Sequence, residues 1–269
     1  MTLPDISAGT PSPPHATSGK SPPGNAARPP PTCQSPRLRQ LAAAQRRLAR
    51  TSTGRAGPSR RTKAARLARV GILLSGRGSN FLALHDATLG GELPAQIALV
   101  VSNVADAPGL AHARKRGIRT AAIPHREEAS RLEHEARVLA ALGQEGIEWV
   151  CLAGYMRLLT PSFLTAFPRR VVNIHPSLLP AFPGTGAQAR ALEHGVKVSG
   201  CTVHLVDEDL DSGPIVVQRA VPVLDGDTPE SLAARILEQE HLAYPEALRR
   251  LLTETWEIRG RRLVFLPPA

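Results

Sequence analysis

Aromatic side chains make up only 3% of this 269-residue chain. That leaves too few rings for a surface that stacks unpaired bases. Cysteine is nearly absent. Cys33, Cys151 and Cys201 are odd in number, widely spaced and free of any C-x-x-C. A cysteine zinc ribbon is thereby excluded, and a reducing compartment, the cytoplasm, fits. Cys151 and Cys201 fall in apolar strand patterns and read as core fillers. No apolar run is long enough to cross a bilayer and no secretory h-region occurs, so neither membrane insertion nor secretion is expected. His-Glu-x-x-His, Gly-x-Ser-x-Gly and the Walker A pattern are all missing, which removes zincin, hydrolase-elbow and P-loop chemistry.

Acidic residues are missing from one end. Residues 1–69 hold 13 Lys and Arg against Asp5 alone, a net of +12, whereas residues 70–269 hold 20 against 22, a net of −2. The overall +10 therefore belongs to a leader, and no nucleic-acid partner is expected for the body. The leader also carries 11 of the 25 prolines and hardly any Val, Ile, Leu or Phe. Such a segment cannot bury enough apolar surface to offset its ordering entropy and reads as disordered, with a transient basic helix over 37–69. Three explanations compete: a targeting peptide, an arm for nucleic acid or a membrane surface, or upstream sequence from a misplaced start. The third is preferred, because the globular pattern begins abruptly at Val70. The chain thus divides into a leader, 1–69, and one domain, 70–269.

Within the domain, strands are expected at 70–74, 95–101, 120–123, 147–153 and 171–174. Helices are expected at 81–88, 108–116, 127–142 and 160–167. Alternating strands and helices imply an α/β fold, a doubly wound, mostly parallel, Rossmann-like sheet. Two further β runs, 201–206 and 215–223, flank an acidic loop. A long helix from 228 to 253 follows, with a last strand at 261–266.

The chemistry gathers at Asn173-Ile174-His175-Pro176-Ser177-Leu178-Leu179-Pro180. Residues two apart on a strand share a face, so Asn173 and His175 project together. Pro176 keeps His175 extended and stops the strand, at the end where open α/β sheets bind ligands. The competing reading is that both side chains only satisfy backbone groups there. Ser75-Gly76-Arg77-Gly78-Ser79-Asn80, between the first strand and helix, has the form of an anion site. A dinucleotide fingerprint is disfavoured, because Phe81 stands where a third Gly is needed and Asn103, not an acid, closes the second strand. A single phosphate fits better; a plain tight turn is the alternative. The acidic loop runs from Asp207 through Asp211 to Pro214 and lacks calcium-loop spacing. If Asp211 reaches His175, its charge is expected to raise the imidazole pKa. His85, His112 and His134 fall in helical patterns and read as surface residues.

Together these segments resemble the folate-dependent formyltransferases, in particular those acting on glycinamide ribonucleotide. The matching stretches are Ser75–Asn80, Leu152-Ala-Gly-Tyr-Met-Arg-Leu-Leu159, Asn173–Pro180, Leu210-Asp-Ser-Gly-Pro214 and Glu238-Gln-Glu-His241 with Tyr244-Pro245. The resemblance covers about Val70 to the C-terminus. It implies formyl transfer from the co-substrate 10-formyltetrahydrofolate to the ribotide amine in purine biosynthesis, without a metal. It implies Asn173, His175 and Asp211 as catalytic residues. Gly78, Ser79, Asn80 and Glu240 would bind the ribotide. Arg131, Met156, Arg157, Leu158, Leu159, Asn173 and the loop Asp207, Glu208, Asp209, Leu210, Asp211 would bind folate. Its small-molecule partners are the two substrates, and a homodimer is compatible with it. This chain departs from the pattern at Thr185-Gly186-Ala187-Gln188, where a histidine is usual, and at the bulky Arg77. The rivals are a formyltetrahydrofolate deformylase, a methionyl-tRNA formyltransferase, and a non-catalytic nucleotide-binding module whose leader docks on nucleic acid.

Overall fold

A computed structural model describes residues 66–126 and 130–268. The reading of the leader up to residue 65, Cys33 included, lies outside the described residues. So does the expected helix start at 127–129.

The elements are β1 (Ala68–Leu74), α1 (Ser79–Leu89), β2 (Ala95–Ser102), α2 (Pro108–Lys115), β3 (Arg119–Ala122), α3 (Arg131–Gln144), β4 (Trp149–Leu152), α4 (Pro161–Ala166) and β5 (Val171–His175). They continue with α5 (Ala187–Glu193), β6 (Val198–Leu205), β7 (Ile215–Pro222), α6 (Pro229–Thr253), β8 (Trp256–Arg259) and β9 (Arg262–Phe265). Among the described residues, β1 to β7 form one sheet in the order β3-β2-β1-β4-β5-β6-β7, and β8 pairs with β9. The first five strands are parallel, while β6 runs antiparallel to β5 and β7 antiparallel to β6.

Local chemistry explains the helix starts. Ser130 accepts a hydrogen bond from the Glu133 N–H, so α3 begins there. Thr228 and Ser231 form a reciprocal capping box at α6, with Pro229 in the first turn. Two elements escaped the sequence reading. Helix α5 opens on Gly186 in the left-handed conformation, without a side-chain cap, and is too short for a clear period. Strand β8 is four residues long.

Alternation along β5 divides the core. Val172 and Ile174 join the cluster that includes Phe81, Leu84, Leu232, Ile236 and Tyr244 from α1 and α6. Val171 joins the opposite cluster, with Val138, Leu142 and Phe163 from α3 and α4. Asn173 and His175 extend the Val171 row, so both face the α3/α4 side. Tyr244 fastens α6 beneath the site: its buried hydroxyl lies 3.1 Å from Leu152 O and 2.9 Å from Val172 O. Cys151 and Cys201 are buried free thiols, each pushed up to about 12 by burial. His134 corrects the surface reading. It is 1% exposed, and its Nε2 donates to Ile123 O at 2.9 Å.

Candidate active site

Two polar clusters stand at the carboxyl-end loops and along β5. In the first, Asp211 returns from the β6–β7 loop to the Asn173–His175 row. Asp211 Oδ2 lies 3.2 Å from His175 Nδ1 and accepts the Gly184 N–H at 2.7 Å. Its Oδ1 lies 3.4 Å from Asn173 Nδ2. His175 Nε2 is 2.9 Å from Phe182 O.

Sequence reasoning missed one member, His204. In the antiparallel β5–β6 register His204 stands opposite Asn173, so both side chains occupy the same face. Its Nδ1–H donates to Leu205 O at 2.9 Å. Its Nε2 lies 3.2 Å from the Asn173 amide nitrogen and 3.7 Å from Asp211 Oδ1. The alternation Cys201, Val203, Leu205 against Thr202, His204 is visible in the sequence. The strand it faces is not.

His175 Nδ1 faces a carboxylate and Nε2 a carbonyl, so only the imidazolium could donate to both. Burial nevertheless holds its pKa below the ordinary imidazole value, against the upward pull of the Phe182 carbonyl and Asp211; His204 and Arg190 add to the lowering. The expectation of a raised pKa is therefore overturned, because desolvation outweighs the single carboxylate. For Asp211 the balance differs. Burial alone would raise its carboxyl, but the adjacent His204, the Gly184 N–H and the neighbouring His175 together bring it below the usual value.

The loop bearing Asp211 depends on close backbone approach. A Cβ on Gly213 would lie 1.9 Å from Leu205 O, so only glycine lets the chain pass behind Asp211. Gly213→Ala is expected to cost about 2 kcal/mol or more and to lower turnover by moving Asp211. Thermal denaturation and steady-state rates check this, and wild-type values for both would contradict it.

The second cluster joins α1 to α6. Gly78 caps α1 with φ 78° and no side-chain acceptor, which leaves the first-turn N–H groups open to an anion. A Cβ on Gly78 would meet Gly109 Cα at 2.9 Å. Asn80 Nδ2 donates to Glu240 Oε2 at 2.7 Å, and both residues are buried. Asn80 Oδ1 is buried without a partner, an acceptor left for a ligand. Burial raises the Glu240 carboxyl, opposed by the Asn80 hydrogen bond. Ser79 lies at the start of α1, and Arg77 is exposed.

Apolar side chains stand open on two loops: Met156 and Leu158 after β4, Leu210 beside Asp211. Leu210 comes within 3.5 Å of the position a Cβ on Gly184 would take. The Met156 N–H donates to Ser75 Oγ at 2.9 Å, and Ser75 in turn donates to Asn103 Oδ1 at 2.6 Å, so the β1, β2 and β4 loops are tied together. Arg157 and Leu159 are half-buried, while Asp207, Glu208 and Asp209 are exposed. Arg131 is exposed on the first turn of α3 and joins neither cluster among the described contacts.

Fold and site together define an α/β domain with an anion-ready helix start at α1 and an Asn–His pair on β5 joined by Asp211 from the β6–β7 loop. Residues 68–248 match the family profile described as formyl transferase, and the chain belongs to that family. It is 38% identical over 190 residues to the phosphoribosylglycinamide formyltransferase of Escherichia coli, covering 71% of this chain and 87% of that one. The crystal structure of glycinamide ribonucleotide transformylase 1 from Symbiobacterium toebii matches with a TM-score of 0.74 at 49% identity, covering 76% of this chain and 96% of that one. The chain is also 46% identical over 181 residues to the trifunctional purine biosynthetic protein adenosine-3 of Gallus gallus. It spans only 18% of that protein's length.

Proposed function

We propose that this protein transfers a formyl group from 10-formyltetrahydrofolate to the amine of glycinamide ribonucleotide, a step of purine biosynthesis. The observation that carries the proposal is the meeting of Asn173 and His175 with Asp211, at 3.4 Å and 3.2 Å, in a domain whose α1 N-terminus is uncapped and suited to a phosphate.

In this reading Gly78, Ser79 and Asn80 receive the ribotide phosphate, and Glu240 contacts the same substrate. Met156, Arg157, Leu158, Leu159 and the loop 207–211 line the folate side, where the exposed Met156, Leu158 and Leu210 offer apolar surface to a fused ring. Arg131 is the outermost member of that set. In this reading the transferase domain begins at Ala68, where β1 and the family match both open, two residues before the boundary read from the sequence. Small-molecule substrates are the only partners required. The reaction needs no metal, nucleic acid or membrane, is compatible with a homodimer, and suits the cytoplasm. Among the described residues no helix is long and apolar enough to cross a membrane.

The mechanism follows from the residues. Attack of the amine on the formyl carbon puts negative charge on the formyl oxygen. The Asn173 amide can turn its weak 3.4 Å contact from Asp211 to that oxygen. His175 can share its Nε2–H between the Phe182 carbonyl, 2.9 Å away, and that oxygen, a contact that strengthens as the charge develops. Each such donor is worth about 3 kcal/mol. Asp211, kept ionised by its neighbours, accepts the proton that the attacking ammonium must lose and returns it to the folate nitrogen as the bond from that nitrogen to the formyl carbon breaks. No side chain becomes covalently modified.

The test is direct. Purified protein with 10-formyltetrahydrofolate and glycinamide ribonucleotide should release tetrahydrofolate and formylated ribotide. Release at the same rate without ribotide would identify a deformylase instead. Asn80→Ala removes a polar contact worth about 1.5–3 kcal/mol to a charged ligand. It is expected to raise the ribotide KM at least about tenfold and to change kcat little; an unchanged KM would remove Asn80 from the ribotide site.

A further inference from the structure

The turn Phe182-Pro183-Gly184 touches both titrating members of the first cluster. Phe182 O accepts from His175 Nε2 at 2.9 Å, and the Gly184 N–H donates to Asp211 Oδ2 at 2.7 Å. That same carboxylate oxygen faces His175 Nδ1 at 3.2 Å. A closed ring results, in which two backbone groups of a single turn aim the imidazole and the carboxylate at each other.

The turn does not hold itself. Phe182 has φ 54°, a left-handed conformation that a bulky residue adopts only under strain. The missing support comes from α5. Arg190 Nη2 donates to Pro183 O, the peptide between the two contacts. The Arg190 guanidinium also stands 6.0 Å from the centre of the Phe182 ring. One turn further along α5, the His194 ring meets the same Phe182 ring edge-on at 5.3 Å. Arg190 and His194, four residues apart and so on one face of the helix, grip the turn together.

We propose that Arg190 is a positioning residue for the reaction, holding the 182–184 turn so that its carbonyl orients His175 and its N–H orients Asp211. This rests on the formyl-transfer reading of the site. The groups facing His175 are Asp211, His204, Arg190 and the Phe182 carbonyl, and of these Arg190 and His204 oppose its protonation. Taking away the cation removes one cause of the lowering, and loosening the turn also moves the Phe182 carbonyl that pulls the pKa up, so the His175 titration reports on both contacts.

The experiment compares the full chain with Arg190→Gln and Arg190→Lys. Arg190→Gln should lower kcat about tenfold or more, the scale of a sub-ångström misplacement, while the ribotide KM changes less than about threefold. By NMR its His175 should titrate at a pH different from that of the wild type. Arg190→Lys keeps the charge but not the planar donor, so its His175 should titrate closer to the wild type than that of Arg190→Gln, with kcat between the other two. An unmoved His175 titration in Arg190→Gln, or wild-type kcat in that variant, overturns the proposal. Should Arg190→Gln not fold, Arg190→Lys decides alone: kcat at least about threefold below wild type supports the role, and wild-type kcat overturns it. If the wild type proves inactive on these substrates, the functional reading fails, yet the titration still judges the Arg190 contact.

Discussion

Asp211→Asn should lower kcat by about 10²-fold or more, the scale of lost acid–base catalysis, with little change in either KM. The substitution is chosen for its backbone. Asp211 has φ 50°, a conformation asparagine tolerates better than most residues, so the loop is expected to keep its path. The new amide oxygen can still accept the Gly184 N–H, which now meets Oδ2 at 2.7 Å. What disappears is the charge that His175 and Asn173 face, and with it the base. Steady-state kinetics beside a melting curve separate the two effects. A variant that melts like the wild type and turns over near the wild-type rate would sink the assigned role. Asp211→Ala would be less informative, because it also abandons Gly184.

His175→Gln should reduce kcat by about 10²- to 10³-fold, the range for removal of one oxyanion donor. Ribotide binding should be nearly intact, because in this reading the phosphate is held by Gly78, Ser79 and Asn80 at the start of α1, with Glu240 on the same substrate. Abolished binding would mean the histidine serves the ribotide and not the formyl group. The same variant reads out the buried imidazole through stability. His175 has a folded pKa below its unfolded value, so between the two the unfolded chain binds the extra proton. Its contribution is present above about pH 6.5 and is lost as pH falls toward the folded value. Wild-type protein should therefore lose more melting temperature between pH 7.5 and 5.5 than His175→Gln does. His85 and His241, also lowered chiefly by burial, carry the same sign but remain in both proteins, so the difference isolates His175. Equal slopes would show that the ring is not desolvated.

Much of the fold was legible because periodicity is local. The strands at β1, β2 and β5 and the long α6 emerged within a residue or two of their observed limits, since burial on one face leaves a period of two or 3.6 in the chain. The exceptions were short. Helix α5 spans seven residues and lacks a side-chain cap, so it left no signal, although it carries Arg190. Strand β8 was hidden after the end of α6. His134 was misjudged because one histidine in a helical pattern does not reveal which face meets the sheet; here that face meets Ile123. The site was half legible. Asn173 and His175 were paired by alternation, and Asp211 stood out by its loop. His204 escaped because its importance comes from the strand beside it.

From its order of residues alone, this protein set its alternation of strands and helices, the common face of Asn173 and His175, and the glycine-dependent turn before α1. All of these follow from bonds and sterics between near neighbours in the chain. Tertiary structure alone decided that β6 lies antiparallel to β5, bringing His204 opposite Asn173. It decided too that the Phe182 turn closes around His175 and Asp211, and that the imidazole is harder to protonate. Those outcomes depend on which distant segments pack together and how much water they exclude, and no short stretch of sequence encodes either.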